Sequence, residues 1–385
     1  MTNILPTYPR SNLEFTHGKG CYLYSLDGNE YLDFGSGIAV NSLGYSHEYL
    51  NSKLLEQSKK LWHVSNIYQI PQQEKLAKRL CEISFADYAF FCNSGTEAVE
   101  ASIKIARRYF YKKNNSKTKN EIITFEGSFH GRTYAALSAQ QNKKYSEGFG
   151  KMLPGFINIP FNDIEALKNT VNESTAAVLI ETIQGEGGIR PTPLNFLKEI
   201  REICNKSNSL MFLDEVQSGF GRTGKLFAYQ WADLNPDIIA VAKGIGSGFP
   251  MGACLTSNDA CIAMIKGSHG STFGGNPLAV AVGKAVINEI LSKNFLDNVD
   301  KISRYLWNKL KALEKKYDEI IEVRGAGLLL GIKTKNSNID ISKKFEEKGL
   351  LTIPASDNII RLAPPLIITF DHVDEAIKKI EDALV

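Results

Sequence analysis

The sequence is short of most of what marks a specialised chain. No run approaches the roughly 18 apolar residues of a membrane span, and residues 1–10 hold two prolines and no apolar core of the signal-peptide kind, so neither insertion nor export is expected. The six cysteines contain no C-x-x-C pair, and Cys254 and Cys261 have no histidine at zinc-ligand spacing. Reduced thiols, a cytoplasmic location and no metal are therefore expected. Charge of either sign is not in excess: 45 basic and 42 acidic residues leave +3, which gives no nucleic-acid footprint. The one lysine-rich stretch, Lys112 to Lys119, lacks aromatics and reads as a solvated loop. There is no internal repeat and no low-complexity linker. At 385 residues the chain supports two or three domains with a substantial core.

What is present concentrates between Leu213 and Lys243. Met211-Phe212-Leu213 precedes Asp214, and Ile238-Ile239-Ala240-Val241-Ala242 precedes Lys243. Such short apolar runs become buried parallel strands, and ligands of open α/β sheets sit at the carboxyl ends of those strands. An aspartate for a pyridine nitrogen and a lysine for a Schiff base are the groups a pyridoxal phosphate enzyme needs. The lysine must lose its proton to react, and an apolar strand end beside another cation favours that loss. Singly, either residue reads more readily as an exposed lysine or an N-capping aspartate, so other segments must decide.

Ser94 followed by Glu97 is a capping-box pattern, and Ala98 to Arg108 has no Gly or Pro, so a helix is predicted to start here. Ser94, Gly95 and Thr96 would then form an anion site at its N-terminus, although such a box alone is an ordinary cap. Phe129, within Gly127-Ser128-Phe129-His130-Gly131-Arg132-Thr133, is placed to lie on a cofactor ring; His130 reads equally as a packed core residue. The small-residue loop from His269 to Pro277, with Ser271 and Thr272, lets a phosphate approach its backbone, though loops like it are often only turns.

Taken together and in this order, these motifs resemble those of the class III, or ω-amino-acid, aminotransferases of pyridoxal phosphate fold type I, nearly end to end. The resemblance implies that Lys243 forms the Schiff base, Asp214 meets the pyridine nitrogen and Gln217 bonds near the phenolic oxygen. It implies that Ser94, Gly95 and Thr96 hold the phosphate, that Phe129 stacks on the ring beside His130, and that Thr272 reaches the phosphate of a neighbouring subunit in a homodimer. Within the class, Gly37-Ile38-Ala39-Val40, the run Glu181 to Gly188 and Arg361-Leu362-Ala363-Pro364-Pro365 are similar to the acetylornithine-using members. That likeness implies N2-acetylornithine and 2-oxoglutarate as substrates, with glutamate as product, in arginine biosynthesis. Arg361 would hold the α-carboxylate of glutamate and pair with Glu181 when acetylornithine is bound; Arg132 would take the distant carboxylate, with Ser271 also at the substrate. A structural ion pair is the plainer reading of Glu181 and Arg361. Ornithine δ-aminotransferases look similar but carry a tyrosine in the Ser36-Gly37-Ile38 region, so Gly37 favours an acylated substrate. Free ornithine, another N-acyl diamino acid or ω-amino acid, an aminomutase and a non-catalytic binding protein remain alternatives.

The expected fold is α/β, with a large domain built on a mostly parallel sheet and a smaller α+β domain built from both chain ends, as in fold type I. The expected division is 1–46 for an N-terminal segment joining the small domain, 47–277 for the cofactor domain and 278–385 for the C-terminal domain. Cys21 to Leu26 and Glu30 to Phe34 read as a hairpin through Asp27-Gly28-Asn29. Helical spacing marks Leu278 to Leu291, Leu296 to Leu313 and the stretch from Val373 to Leu384. Arg324-Gly325-Ala326-Gly327 resembles a dinucleotide loop only superficially, since Leu328 to Ile332 continues as a strand and no acid follows at the required distance; a turn or bulge between strands fits better.

Overall fold

The computed structural model describes residues 3–385; residues 1 and 2 of the expected N-terminal segment lie outside the described residues. A seven-stranded sheet carries the order Tyr88–Cys92, Gly252–Thr256, Ile238–Val241, Leu210–Asp214, Thr175–Glu181, Glu121–Phe125, Phe156–Ile159. Gly252–Thr256 runs antiparallel to both neighbours, and the other pairings are parallel. The apolar runs flanking Asp214 and Lys243 are central strands because the sheet is covered on both faces. Met211, Leu213, Ile239 and Val241 enter one core cluster, and Leu210, Phe212, Ile238 and Ala240 enter the other. Each such side chain removed from water contributes about 1.5–3 kcal/mol when large and apolar.

Against the second face lies the helix Gly95–Asn114. Ala98, Val99, Ala101, Ser102, Ile105, Ala106, Tyr109 and Phe110 are buried at helical spacing, so the helix presents one apolar stripe to the sheet. It runs further than predicted: Lys112 and Lys113 form its last turn, where cations complement the carbonyl end, and only from Asn115, left-handed at φ 56°, does the chain become a loop.

The chain ends build the remainder. Tyr22–Ser25 and Glu30–Asp33 form the predicted hairpin, joined by an unforeseen strand Phe15–Lys19, and Glu30–Asp33 pairs in parallel with Leu350–Leu351. A second antiparallel sheet orders Ile320–Ala326, Leu329–Thr334, Ile359–Leu362, Ile353–Ala355. Helices Phe295–Lys316 and Phe370–Leu384 bury Val299, Leu306, Leu310, Val373 and Ile380 in a core of their own. Arg324-Gly325-Ala326 lies within the first strand of this sheet, and Gly327, at φ 58°, makes the turn. Among the described residues no helix is long and apolar enough to cross a membrane.

Ser36, Gly37, Ile38 and Ala39 are all left-handed, with φ of 48°, 63°, 67° and 58°. Three of them bear a Cβ, at roughly 1–2 kcal/mol each, so something must hold the turn. Asp33 does: Oδ1 accepts the Gly35 N–H at 2.7 Å and the Ser36 N–H at 3.0 Å, and Oδ2 accepts the Tyr45 hydroxyl. Asp33→Ala strands these donors and is expected to cost about 2–3 kcal/mol, read as a shift in urea midpoint. A loss below about 0.5 kcal/mol, the range of ordinary surface changes, would show that the turn is held otherwise.

Candidate active site

At the carboxyl ends of the central strands lies a cavity of about 470 Å³, lined among others by Thr96, Phe129, Arg132, Asp214, Gln217 and Lys243. Asp214 ends its strand with Oδ1 accepting the Val216 N–H at 3.0 Å and Oδ2 2.8 Å from His130 Nδ1. His130 is both things the sequence left open. Its ring is buried and braces the carboxylate, while it also lines the cavity and its Nε2 has no partner. A carboxylate offers about four lone pairs, so Asp214 retains capacity for one more N–H.

Lys243 follows the neighbouring strand at φ 51°. Loss of hydration, then the Arg361 charge, pulls its ammonium down to about 8, against Glu186, Asp214 and Glu181, which oppose the shift. Neutral amine therefore becomes available as pH rises through about 8 rather than through the usual value near 10.4. The rate at which apoprotein captures a pyridoxal aldehyde should rise with pH to a midpoint near 8, measured by stopped-flow absorbance. A midpoint above about 10, as for a free lysine, would contradict this environment.

Opposite stands the N-terminus of helix Gly95–Asn114. Ser94 Oγ accepts the Glu97 N–H at 3.4 Å, but the Glu97 carboxylate reaches past the cap to the Asn93 N–H at 2.6 Å and to Asn93 Nδ2 at 2.9 Å, one residue beyond a standard box. The N–H groups of Gly95 and Thr96 have no protein acceptor among the described residues. A Cβ on Gly95 would lie 2.6 Å from Val216 Cγ1, and one on Gly131 would strike Thr96 Oγ1, so both glycines are required for these loops to close around the cavity.

The charged side chains are arranged differently from expectation in one respect. Arg361, 1% exposed, donates through Nη1 to Glu186 Oε1 at 2.8 Å and to Gln217 Oε1 at 3.0 Å. Glu181 is not its partner. Glu181 sits buried at a strand end with its oxygens accepting the N–H groups of Phe129 at 2.8 Å and Gly185 at 3.2 Å. Burial, then the nearby Asp214 charge, raises its carboxyl well above the ordinary range. The pairing assigned to Glu181 thus belongs to Glu186, five residues on, whose glycine neighbours carry it out on the tip of the hairpin Ile183–Gln184 and Arg190–Pro191. That flanking by Gly185 and Gly187 was the available signal.

Arg132 stacks over Tyr145 at 4.0 Å and Phe129 at 5.4 Å and has no carboxylate partner among the described residues. Ser271 and Thr272 do not line the cavity of their own chain. Ser271 Oγ accepts Asn93 Nδ2 at 3.3 Å and the Gly274 N–H at 2.9 Å, which fixes the loop on the outer side of the site. Among the described residues no group of three metal-ligating side chains occurs.

An acid and a low-pKa lysine at adjacent strand ends, facing an open helix N-terminus, form one constellation. The family model described as Aminotransferase class-III matches residues 7–384. The chain belongs to the class-III aminotransferases. A protein named acetylornithine aminotransferase from Rhodobacter capsulatus is 49% identical over 100% of this chain and 98% of its own. Among solved structures, ornithine aminotransferase from Toxoplasma gondii ME49 superposes with a TM-score of 0.96 at 30% identity, covering 99% of this chain and 92% of that one. N-acetylornithine aminotransferase from Stenotrophomonas maltophilia K279a gives 0.86 at 35%, covering 98% and 96%. Backbone similarity and sequence identity thus rank the two substrate types oppositely, so the fold alone does not select the substrate.

Class-III aminotransferases depend on pyridoxal 5'-phosphate, and this one is a transaminase of that kind. The residues fit the group: the spare capacity of Asp214 suits a pyridinium N–H, the free N–H groups at Gly95 and Thr96 suit a phosphate, and Lys243 suits an aldehyde.

Proposed function

We propose that this transaminase moves the δ-amino group of N2-acetylornithine to 2-oxoglutarate, giving N-acetylglutamate 5-semialdehyde and glutamate, as a step of arginine biosynthesis. The observation that carries the reading is the Arg361–Glu186 pair, joined through Arg361 Nη1 to the cavity-lining Gln217, set beside the identity with proteins named acetylornithine aminotransferase. Pyridoxal phosphate, when bound, supplies an aldehyde for amine exchange and a ring that takes up the electron pair left when a proton departs from the substrate carbon.

The chain's own groups do the rest. Asp214, oriented by His130, would hold the proton of the ring nitrogen; Gly95, Thr96 and the Ser94 hydroxyl would hold the phosphate; Phe129 and Gln217, which line the same cavity, would hold the ring. Lys243 Nζ, once free, carries the proton away from and back to the reacting carbon. Arg132 takes the distant carboxylate of either substrate. Arg361 is the selective element: glutamate has a carboxylate beside its reacting carbon and acetylornithine has none. With glutamate bound, Arg361 grips that carboxylate; with acetylornithine bound, Glu186 neutralises the guanidinium.

Gly37 supports an acylated substrate less directly than its size suggested, since φ of 63° is by itself a reason for glycine there. A homodimer completes the reading. Leu61, Trp62, Ile67, Tyr68 and Phe273 are exposed on one chain, the last beside Thr272, an apolar surface suited to a second copy, in which Thr272 and Ser271 reach the neighbouring subunit's phosphate and substrate. The six free cysteines suit the cytoplasm. Steady-state turnover tests the substrate: kcat/KM for N2-acetylornithine should exceed that for ornithine by at least about tenfold, or 1.4 kcal/mol of selectivity. Equal values would leave ornithine δ-aminotransferase as the better reading, and turnover without any keto acid would indicate an aminomutase.

A further inference from the structure

One sequence motif plays no part in the chemistry above, the run Arg324-Gly325-Ala326-Gly327. We infer that Arg324 is a positioning residue that holds Glu186 over Arg361 and so sets the choice between the two amino donors. The inference rests on the reading of Arg361 and Glu186 just given.

The small-domain sheet supplies the geometry. Arg324 pairs with Gly331 across one pair of strands, and Gly331 pairs with Arg361 across the next. Residues directly opposite in antiparallel strands point to the same face, so both arginines project from one face two strand spacings apart, about 10 Å. Between them Gly331 has no side chain. A Cβ there would lie 2.8 Å from Ile359 Cγ2 and 3.0 Å from the Cβ of Ile189, and these two side chains fill the gap. Ile189 belongs to the hairpin tip that bears Glu186, so the tip lies across this row of three residues.

Arg324 fastens its far side. Nε and Nη2 donate to the Gly188 carbonyl at 2.8 and 2.6 Å, while Nη2 also meets Asp357 at 2.7 Å and Nη1 meets Glu322 at 3.2 Å. The Ser356 N–H donates to the Glu186 carbonyl at 3.1 Å, a second tie from the same sheet. Gly188 has φ of 103°, and a Cβ on it would lie 2.8 Å from both Arg324 Nη2 and the Ser356 carbonyl, so the tip accepts no side chain at the clamp. Glu186 is thus carried by a separate two-stranded hairpin that follows the large-sheet strand Thr175–Glu181, but is registered against the small-domain sheet that carries Arg361. Only a planar fork gives two donors to one carbonyl, and lysine cannot replace it.

The test measures both half-reactions of holoenzyme separately by single-turnover absorbance, with a terminal-amine donor (N2-acetylornithine, or ornithine if that is the better substrate) and with glutamate. Glu186→Ala should slow the terminal-amine half-reaction and spare glutamate. Arg324→Ala should show the same asymmetry, about 10- to 100-fold on the terminal amine, the range a displaced positioning group produces, with glutamate changed less than about threefold. Arg324→Lys should fall between Arg324→Ala and wild type. The double variant should be no slower than Glu186→Ala alone, because the two residues act through one element. Equal losses in both half-reactions for Arg324→Ala, or additive losses in the double variant, would overturn the inference while leaving the Glu186 reading intact. No asymmetry in Glu186→Ala itself would overturn both. A fold defect is recognised by a lowered melting temperature in Arg324→Ala, and Gly188→Ala, which breaks the clamp from the other side, must then reproduce the asymmetry for the inference to stand.

Discussion

Lys243→Ala should lower turnover by at least about 10³-fold, even with cofactor present in excess. General acid–base transfer by a positioned side chain contributes roughly 10²–10⁴, and the two nearby glutamates are both engaged elsewhere. Glu181 is occupied by two backbone donors, and Glu186 is paired with Arg361. The variant should still bind pyridoxal phosphate through Gly95, Thr96 and Asp214, but without the absorbance of a lysine-bound aldehyde. Single-turnover spectra with excess amine donor check this. A residual rate within about tenfold of wild type would mean that another group moves the proton, and the roles given to the strand-end pair would fail.

Arg361→Ala carries the second largest effect, and its value lies in its asymmetry. Removing one partner of a buried, hydrogen-bonded charge pair costs about 2–5 kcal/mol, and Arg361 is the group that distinguishes glutamate from acetylornithine. The glutamate half-reaction should therefore slow by roughly 100-fold, about 2.7 kcal/mol, since it loses a grip on the α-carboxylate. The acetylornithine half-reaction uses Arg361 only in its neutralised form and should slow far less. The variant also releases Glu186 and Gln217 Oε1 from their shared donor, so a modest loss with both substrates is expected in addition. Equal losses would make the pair structural and remove the basis for dual specificity.

Much of this was legible in the chain because local rules and global fold agree where strands end. Apolar runs before Asp214 and Lys243 are buried on both faces, and residues at their carboxyl ends have only the cavity to enter. The Ser94 cap and the helix it starts were likewise written locally. Glu186 was not, because Glu181 and Glu186 are both acids in one glycine-rich run, and what separates them is non-local. One is sealed by the backbone of Phe129, and the other is delivered to Arg361 by a hairpin clamped from a distant sheet. The left-handed turn from Ser36 to Ala39 was hidden for a related reason: nothing in serine, isoleucine or alanine announces positive φ, and the buried Asp33, itself held by the Tyr45 hydroxyl, makes it tenable. The run Arg324 to Gly327 was read correctly as no dinucleotide loop, yet its use emerged only from the register that aligns Arg324, Gly331 and Arg361.

The most direct test of the central claim is an absorbance titration of the purified holoenzyme with N2-acetylornithine, ornithine or 4-aminobutyrate in the absence of keto acid, followed by 2-oxoglutarate. The account predicts that acetylornithine bleaches the band of the lysine-bound cofactor at the lowest concentration and that 2-oxoglutarate restores it, which establishes both half-reactions on one site. Stronger bleaching by ornithine or 4-aminobutyrate would contradict the substrate assignment, and no response to any of the three amines would contradict the aminotransferase reaction itself.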